Sequence, residues 1–257
     1  MKINAATAVV PGGTHGRAME MLADGLVDPV LGAISIEDVQ LCPQHAGKLN
    51  HELVDVLMGK YPSTRFRIHA SPRVAGTHRH QIVYASNATA NGEQIRATAA
   101  LSRRMNASAY TLHAGETRES SLATAFDNVR RLADIFGCRV GVEGLYPSLG
   151  LTQRWLLGTW AEHEQLLEAR IDYAIDLSHL NIIAKRERKH RPDLVRDLLA
   201  SEHCIEVHLS NNDGRADAHR PLDPASPPWW MPLLKEIGGA TVFYEGIVVD
   251  PRRRETS

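Results

Sequence analysis

The chain has 257 residues, 43% of them apolar and 23% charged, with 29 Lys and Arg set against 30 Asp and Glu. That balance excludes a global basic field for nucleic acid or an anionic membrane, and the length suits one large domain or two small ones. Three scattered cysteines, Cys42, Cys138 and Cys204, are too few for a disulfide framework and fit a reducing, cytoplasmic setting.

The chain opens on MKINAATAVV, with no charged segment ahead of a long apolar stretch, so neither a signal peptide nor a membrane span is predicted. Residues 3–10 read as a first strand and 33–41 as a second. HELVDVLMGK (51–60) reads as a helix, RFRIHA (65–70) as a strand, GEQIRATAALSRRMN (92–106) as a helix and AYTLHAG (109–115) as a strand. In 121–137, Leu122, Phe126, Val129, Leu132, Ala133 and Phe136 recur at helical spacing before Gly137, a helix stop. A strand at 139–144, a helix within 152–170, a strand at 172–179, a helix at 191–202 and strands at 204–210 and 241–249 complete the series. Cys138 and Cys204 precede strand-like runs, where a small buried thiol is expected.

Strand–helix alternation predicts a parallel sheet. Eight such strands in this length predict a closed (β/α)8 TIM barrel, formed as a single domain over residues 1–257. Only DPRRRETS follows the last predicted strand, so the final helix is expected to be short or missing. A homodimer covering the exposed seam follows as an expectation. Trp155 and Trp160 are expected to face the core, and Trp229 and Trp230 either to overhang the pocket or to pack.

The strand ends carry the chemistry. His69, His113, Glu143, Asp176 with His179, His208 and Glu245 stand at or just beyond the ends of strands three to eight, and Asp217 and His219 follow strand seven. In a barrel, those C-terminal ends converge on the face where active sites are built. Five imidazoles and four carboxylates aimed at one point would repel and desolvate one another without a cation, and both are ligands suited to zinc, manganese or iron. A divalent-metal site, holding zinc, manganese or iron, is therefore expected at these nine residues.

This arrangement resembles the xylose-isomerase-like barrel superfamily, which includes sugar isomerases and epimerases and the apurinic endonuclease IV family. Glu143, Asp176, His208 and Glu245 match the single-metal set common in that superfamily. His69, His113, Asp217 and His219 match the additional ligands of endonuclease IV. By that resemblance His69, His113 and Glu143 hold one ion, and Glu143, Asp176, His208 and Glu245 a second. His179, Asp217 and His219 hold the third, so the resemblance implies three zinc ions, with manganese or iron as alternatives.

Several activities remain open on the sequence. The leading expectation is metal-hydroxide hydrolysis of a phosphoester, with a small phosphorylated or sugar-like substrate. Arg65, Arg67, Arg73 and Arg79, with His78 and His80, could meet the phosphates of a nucleic acid, although an ordinary solvated basic loop is the simpler account. The alternative is a metal-dependent sugar or sugar-phosphate isomerase or epimerase, in which Glu143 and Glu245 are opposed catalytic bases and His179 and Arg215 contact sugar oxygens. Arg73, Arg215 and Tyr146 are the expected substrate contacts. A multinuclear iron enzyme that oxidises a small molecule, and a non-enzymatic metal-binding module, are further readings.

Overall fold

The structure is a computed structural model that describes residues 1–43, 45, 47–77, 82–147 and 154–248. Nine strands are formed: β1 (Ile3–Ala6), β2 (Leu26–Asp28), β3 (Gly32–Leu41), β4 (Arg65–Ile68), β5 (Ala109–His113), β6 (Arg139–Glu143), β7 (Tyr173–Asp176), β8 (Cys204–Leu209) and β9 (Thr241–Tyr244). β2 pairs antiparallel with β3 as a hairpin outside the main sheet. The other strands run parallel in the order β4-β3-β1-β9-β8-β7-β6-β5. A parallel bridge between His69 and Thr111, with Ala70 N–H donating to Thr111 O at 2.8 Å, joins β4 to β5 and closes the ring. The result is the predicted eight-stranded barrel.

Around it lie α1 (His15–Ala23), α2 (His51–Lys60), α3 (Gly92–Arg104), α4 (Leu122–Phe136), α5 (Trp160–Ala169), α6 (Leu177–Glu187) and α7 (Pro192–Ala200). α2 takes the predicted bounds because Asn50 accepts a hydrogen bond from Leu53 N–H at 2.7 Å, while Glu52 and Lys60 suit the two ends of the helix dipole. α4 is capped by Ser121 and stopped by Gly137 in the left-handed conformation, φ 70°. It buries Phe126, Val129, Leu132 and Phe136, with Leu122 and Ala133 half-buried, and Phe136 stacks on Tyr110 of β5 at 4.2 Å between centroids.

Several elements differ from expectation. α1 and β2 have no counterpart among the expected elements. The first strand stops at Ala6, where Thr7–Val9 turns as a 3-10 helix. The helix expected within 152–170 begins only at Trp160, because Thr159 caps it by accepting from Glu162 N–H. The strand expected at 172–179 ends at Asp176, whose carboxylate caps α6 by accepting from Ser178 and His179 N–H. The ninth strand ends at Tyr244, short of the expected 249. Among the described residues the β8–β9 connection holds no α-helix, only a 3-10 turn at Met231–Glu236. The tail expected to lack a final helix, 249–257, lies outside the described residues. Among the described residues the exposed large apolar ones are Met1, Val27, Val56, Ile82 and Ile135, which are scattered along the chain.

Cys42 and Cys204 are buried and Cys138 is half-buried, all as free thiols. No helix among the described residues is long and apolar enough to cross a membrane.

Candidate metal centre

Strand register sets the first neighbours. His113 pairs with Glu143 across β5–β6, and Asp176 pairs with His208 across β7–β8. His69 directly follows β4 and Glu245 directly follows β9, where Glu245 N–H donates to Leu209 O at 2.8 Å. Asp217 and His219 come from the loop after β8. Reciprocal backbone hydrogen bonds between Asn211 and Arg220, both 2.8 Å, close that loop at its base. His219 takes a positive φ of 42°, and Ile247 N–H donates to its carbonyl. A histidine tolerates this region better than a bulky apolar residue would.

Eight of the nine residues line one cavity of about 400 Å³, and the ninth, His208, is fully buried against Glu143. Glu143 stands at the centre. Its Oε2 lies 3.2 Å from His208 Nδ1, 3.3 Å from His69 Nε2 and 3.9 Å from His113 Nε2. Its Oε1 is 3.4 Å from His179 Nδ1. Asp217 Oδ2 lies 2.8 Å from His219 Nε2 and 3.4 Å from His179 Nε2, and the latter nitrogen is 3.5 Å from Asp176 Oδ2.

Backbone carbonyls hold the outer sides of two rings. His179 Nδ1–H donates to Gly144 O at 2.9 Å, and His219 Nδ1–H donates to Glu245 O at 3.3 Å, so each presents Nε2 to the site. Gly144 must be glycine for a steric reason. A Cβ there would lie 2.8 Å from Leu157 O and 2.9 Å from Leu157 Cβ.

Burial and charge act against each other here. Burial pushes His69 down to about 3 and lowers His113, so both rings are neutral and ready to donate a lone pair. Burial also works against protonated His208, but Glu143 and Glu245 overcome it and raise that ring well above the usual imidazole range. His179 is raised in the same way by Asp176 and Asp217, and His219 to about 9, where Asp217 outweighs burial. Glu143 is held well below the carboxylate range: burial favours its neutral form, but His208 and His69 prevail. Glu245 is pushed up to about 7 by burial, against the pull of His208 and His219. Without a metal, protons on three rings offset the buried carboxylates, and cations would take their place.

Two observations test the fit of metal ions. Glu143 Oε2 and His208 Nδ1 are buried, face each other, and have no hydrogen-bond partner of proper geometry. Orphaned buried atoms are rare, and an ion between these two satisfies both. Ligand atoms also fall within 4.8 Å of one another in three overlapping sets at the cavity: His69, His113, Glu143; Glu143, Asp176, His179; and Asp176, His208, Glu245. The donors are imidazole and carboxylate throughout, which suits a borderline divalent cation.

Of the expected substrate contacts, Arg73 and Tyr146 line the cavity, and the Tyr146 ring lies 5.0 Å from that of His179. Arg215 does not line it; it points to solvent from the turn that precedes Asp217. Among the described residues, Arg65 and Arg67 do not join Arg73 as a basic cluster. Arg65 pairs with Asp38 at the N-terminal end of β4, and Arg67 is buried inside the barrel against Glu206. His78, Arg79 and His80 lie outside the described residues. Trp160 is buried as expected, but Trp155 lines the cavity, edge-on to Tyr84 at 5.7 Å. Trp230 is core and Trp229 stacks on His190, so neither overhangs the cavity. Sequence reasoning missed Tyr84, which lines the cavity, and the buried carboxylate of Glu206.

The chain thus has a (β/α)8 barrel fold, which it shares with the solved structures it is similar to. Among solved structures it is similar to a D-tagatose 3-epimerase-like protein, with 15% identity, TM-score 0.66, and coverage of 96% of this chain and 92% of that one. It is similar to the IolI protein with a bound zinc atom, at 12% identity and TM-score 0.65, covering 100% and 92%. It is also similar to an AP endonuclease, family 2, from Brucella melitensis, at 12% identity and TM-score 0.62, covering 96% and 93%. No protein-family model matches the sequence, and no curated protein matches it.

Proposed function

We propose that this chain is a multinuclear metal-dependent hydrolase that cleaves a phosphoester of a small substrate. The observation that carries this reading is the central position of Glu143, whose two oxygens lie within 4 Å of four imidazoles. A carboxylate so placed is suited to bridge ions, and a single-metal site has no need of His69, His113, Asp217 and His219. His69, His113 and Glu143 would hold one ion; Glu143, Asp176, His208 and Glu245 a second; and His179, Asp217 and His219 a third. Divalent ions held there would activate a water, polarise the phosphoryl oxygens and stabilise the leaving oxygen.

The chain's own residues supply the rest. Glu245 lines the cavity, where its carboxylate can take the proton from the attacking water and return it to the leaving oxygen as the P–O bond breaks. Arg73 stands at the mouth to meet a phosphate, and Tyr84, Tyr146 and Trp155 wall the cavity against bulk water. A cavity of about 400 Å³ suits a small molecule, and with Arg65 and Arg67 committed elsewhere, little supports a nucleic-acid track.

A second reading is a metal-dependent sugar epimerase, with Glu143 and Glu245 as bases on opposite faces of one carbon. It is favoured by the likeness to the D-tagatose 3-epimerase-like protein and to an L-ribulose 3-epimerase. Metal analysis of the wild type and Asp217→Ala separates the two. The hydrolase should carry three ions per chain, fall to two in the variant, and lose phosphodiester hydrolysis by several orders of magnitude. One ion per chain in both proteins, with ketohexose epimerisation retained at weaker substrate binding, would replace the first reading by the second.

A further inference from the structure

Beneath the candidate ligands the barrel interior holds a polar layer made of Gln40, Arg67, Thr111 and Glu206, all buried. Glu206 precedes His208 by two residues on β8, so both side chains lie on the same face of the strand. Glu206 Oε1 accepts from Arg67 Nη1 at 3.0 Å, and Arg67 Nη2 goes on to Ser108 Oγ at 3.1 Å and Thr241 Oγ1 at 3.2 Å. Glu206 Oε2 accepts from Gln40 Nε2 at 2.7 Å and Thr111 Oγ1 at 2.8 Å, and it lies 3.3 Å from His208 Nε2.

Proton counting then fixes the His69 ring, and an ion on Nδ1 would fix that of His208. Thr111 has one hydroxyl proton and commits it to Glu206, so its oxygen accepts from His69 Nδ1 at 3.0 Å. His69 therefore leaves Nε2 bare, 3.3 Å from Glu143 Oε2. His208 uses the opposite nitrogen, since Nδ1 faces Glu143 Oε2 at 3.2 Å and Nε2 faces Glu206. Gln40 Nε2 also lies 3.1 Å from His208 Nε2. With an ion on Nδ1 the ring proton sits on Nε2, and Glu206 is then its acceptor.

We propose that Glu206 is a positioning residue for the metal centre, orienting His208 directly and His69 through Thr111, with Arg67 neutralising its charge from below. Glu206 can itself approach His69 and His208 as a third ligand. Its four lone-pair sites are taken by Arg67, Gln40, Thr111 and, in this arrangement, the His208 Nε2 proton, however, which leaves none aimed at an ion. The inference rests on the reading of the site as a metal centre and does not depend on which reaction the centre performs.

The test is zinc binding with a readout on the rings. Thr111→Val keeps the side-chain shape and leaves the Arg67–Glu206 pair intact, whereas removing Glu206 would strand a buried guanidinium. Competition with a chromophoric chelator should show about 10- to 100-fold weaker binding of one zinc ion in Thr111→Val, with Thr111→Ser restoring it. In the zinc-loaded wild type, nitrogen-15 spectra of the histidine rings should show the proton on Nδ1 of His69 and on Nε2 of His208. Wild-type zinc affinity in Thr111→Val, or a proton on Nδ1 of His208, would overturn the inference, and the ring spectra need no variant to fold. A wild-type protein that takes up no zinc would overturn the metal-centre reading together with it.

Discussion

At the scale of single residues, Glu143 has the most to lose. Its Oε2 faces His208, His69 and His113 and its Oε1 faces His179, so it would serve more than one ion. Glu143→Ala should therefore cost about two ions per chain, against one for Asp217→Ala, when desalted protein is examined by elemental mass spectrometry. Equal losses in the two variants would show that the carboxylate is not shared. The nine residues that converge at the site were legible because each sits at a strand end or in the segment behind one. Glu206 was not, although the two-residue spacing of Glu206 and His208 was visible: a strand residue one step below the rim reads as core until the opposite strands are known. Arg67 was misread for the same reason. Its charge suggested solvent, but its partner stands across the barrel on β8.

At the scale of elements, α5 shows how packing behind the site constrains acidity. His163 is buried on α5, with Nδ1 2.9 Å from Thr159 O, and burial pushes it down to about 4. The unfolded chain takes up that proton near pH 6.5 and the folded chain only near 4. The corresponding stability is thus complete above pH 6.5 and is lost as the pH falls from 6.5 to about 4, by about 3 kcal/mol in all. Urea midpoints of metal-free protein over that range should decline less steeply in His163→Leu than in wild type; parallel curves would assign the acid sensitivity elsewhere. Elements with local stop signals, such as α2 after Asn50 and α4 before Gly137, were placed closely from sequence. α6 was hidden because DLSH extends an apolar run, and only the hydrogen bonds from Ser178 and His179 N–H reveal Asp176 as a cap.

At the scale of the molecule, the barrel was legible from alternation alone, while its seams were not. Closure depends on one bridge between His69 and Thr111, and the β8–β9 connection trades an α-helix for a loop that carries Asp217 and His219. No local pattern encodes either feature. If ions bind only the closed barrel, each site filled at about 100 times its dissociation constant contributes about 2.7 kcal/mol. Chelation should then lower the melting temperature by several degrees per ion, and zinc should restore it. A melting temperature indifferent to chelator would argue against tightly held ions.

The bond from Ile247 N–H to the carbonyl of His219 joins the Asp217–His219 loop to the chain just past β9, and β9 in turn pairs with β1 to complete the ring. The last pair of candidate ligands is thus set in place by contacts between the two ends of the sequence, the slowest kind for a chain to find. Metal capture would then act as a checkpoint on maturation, since a nascent or clipped chain lacking its final strand offers an incomplete set of donors and releases what it picks up.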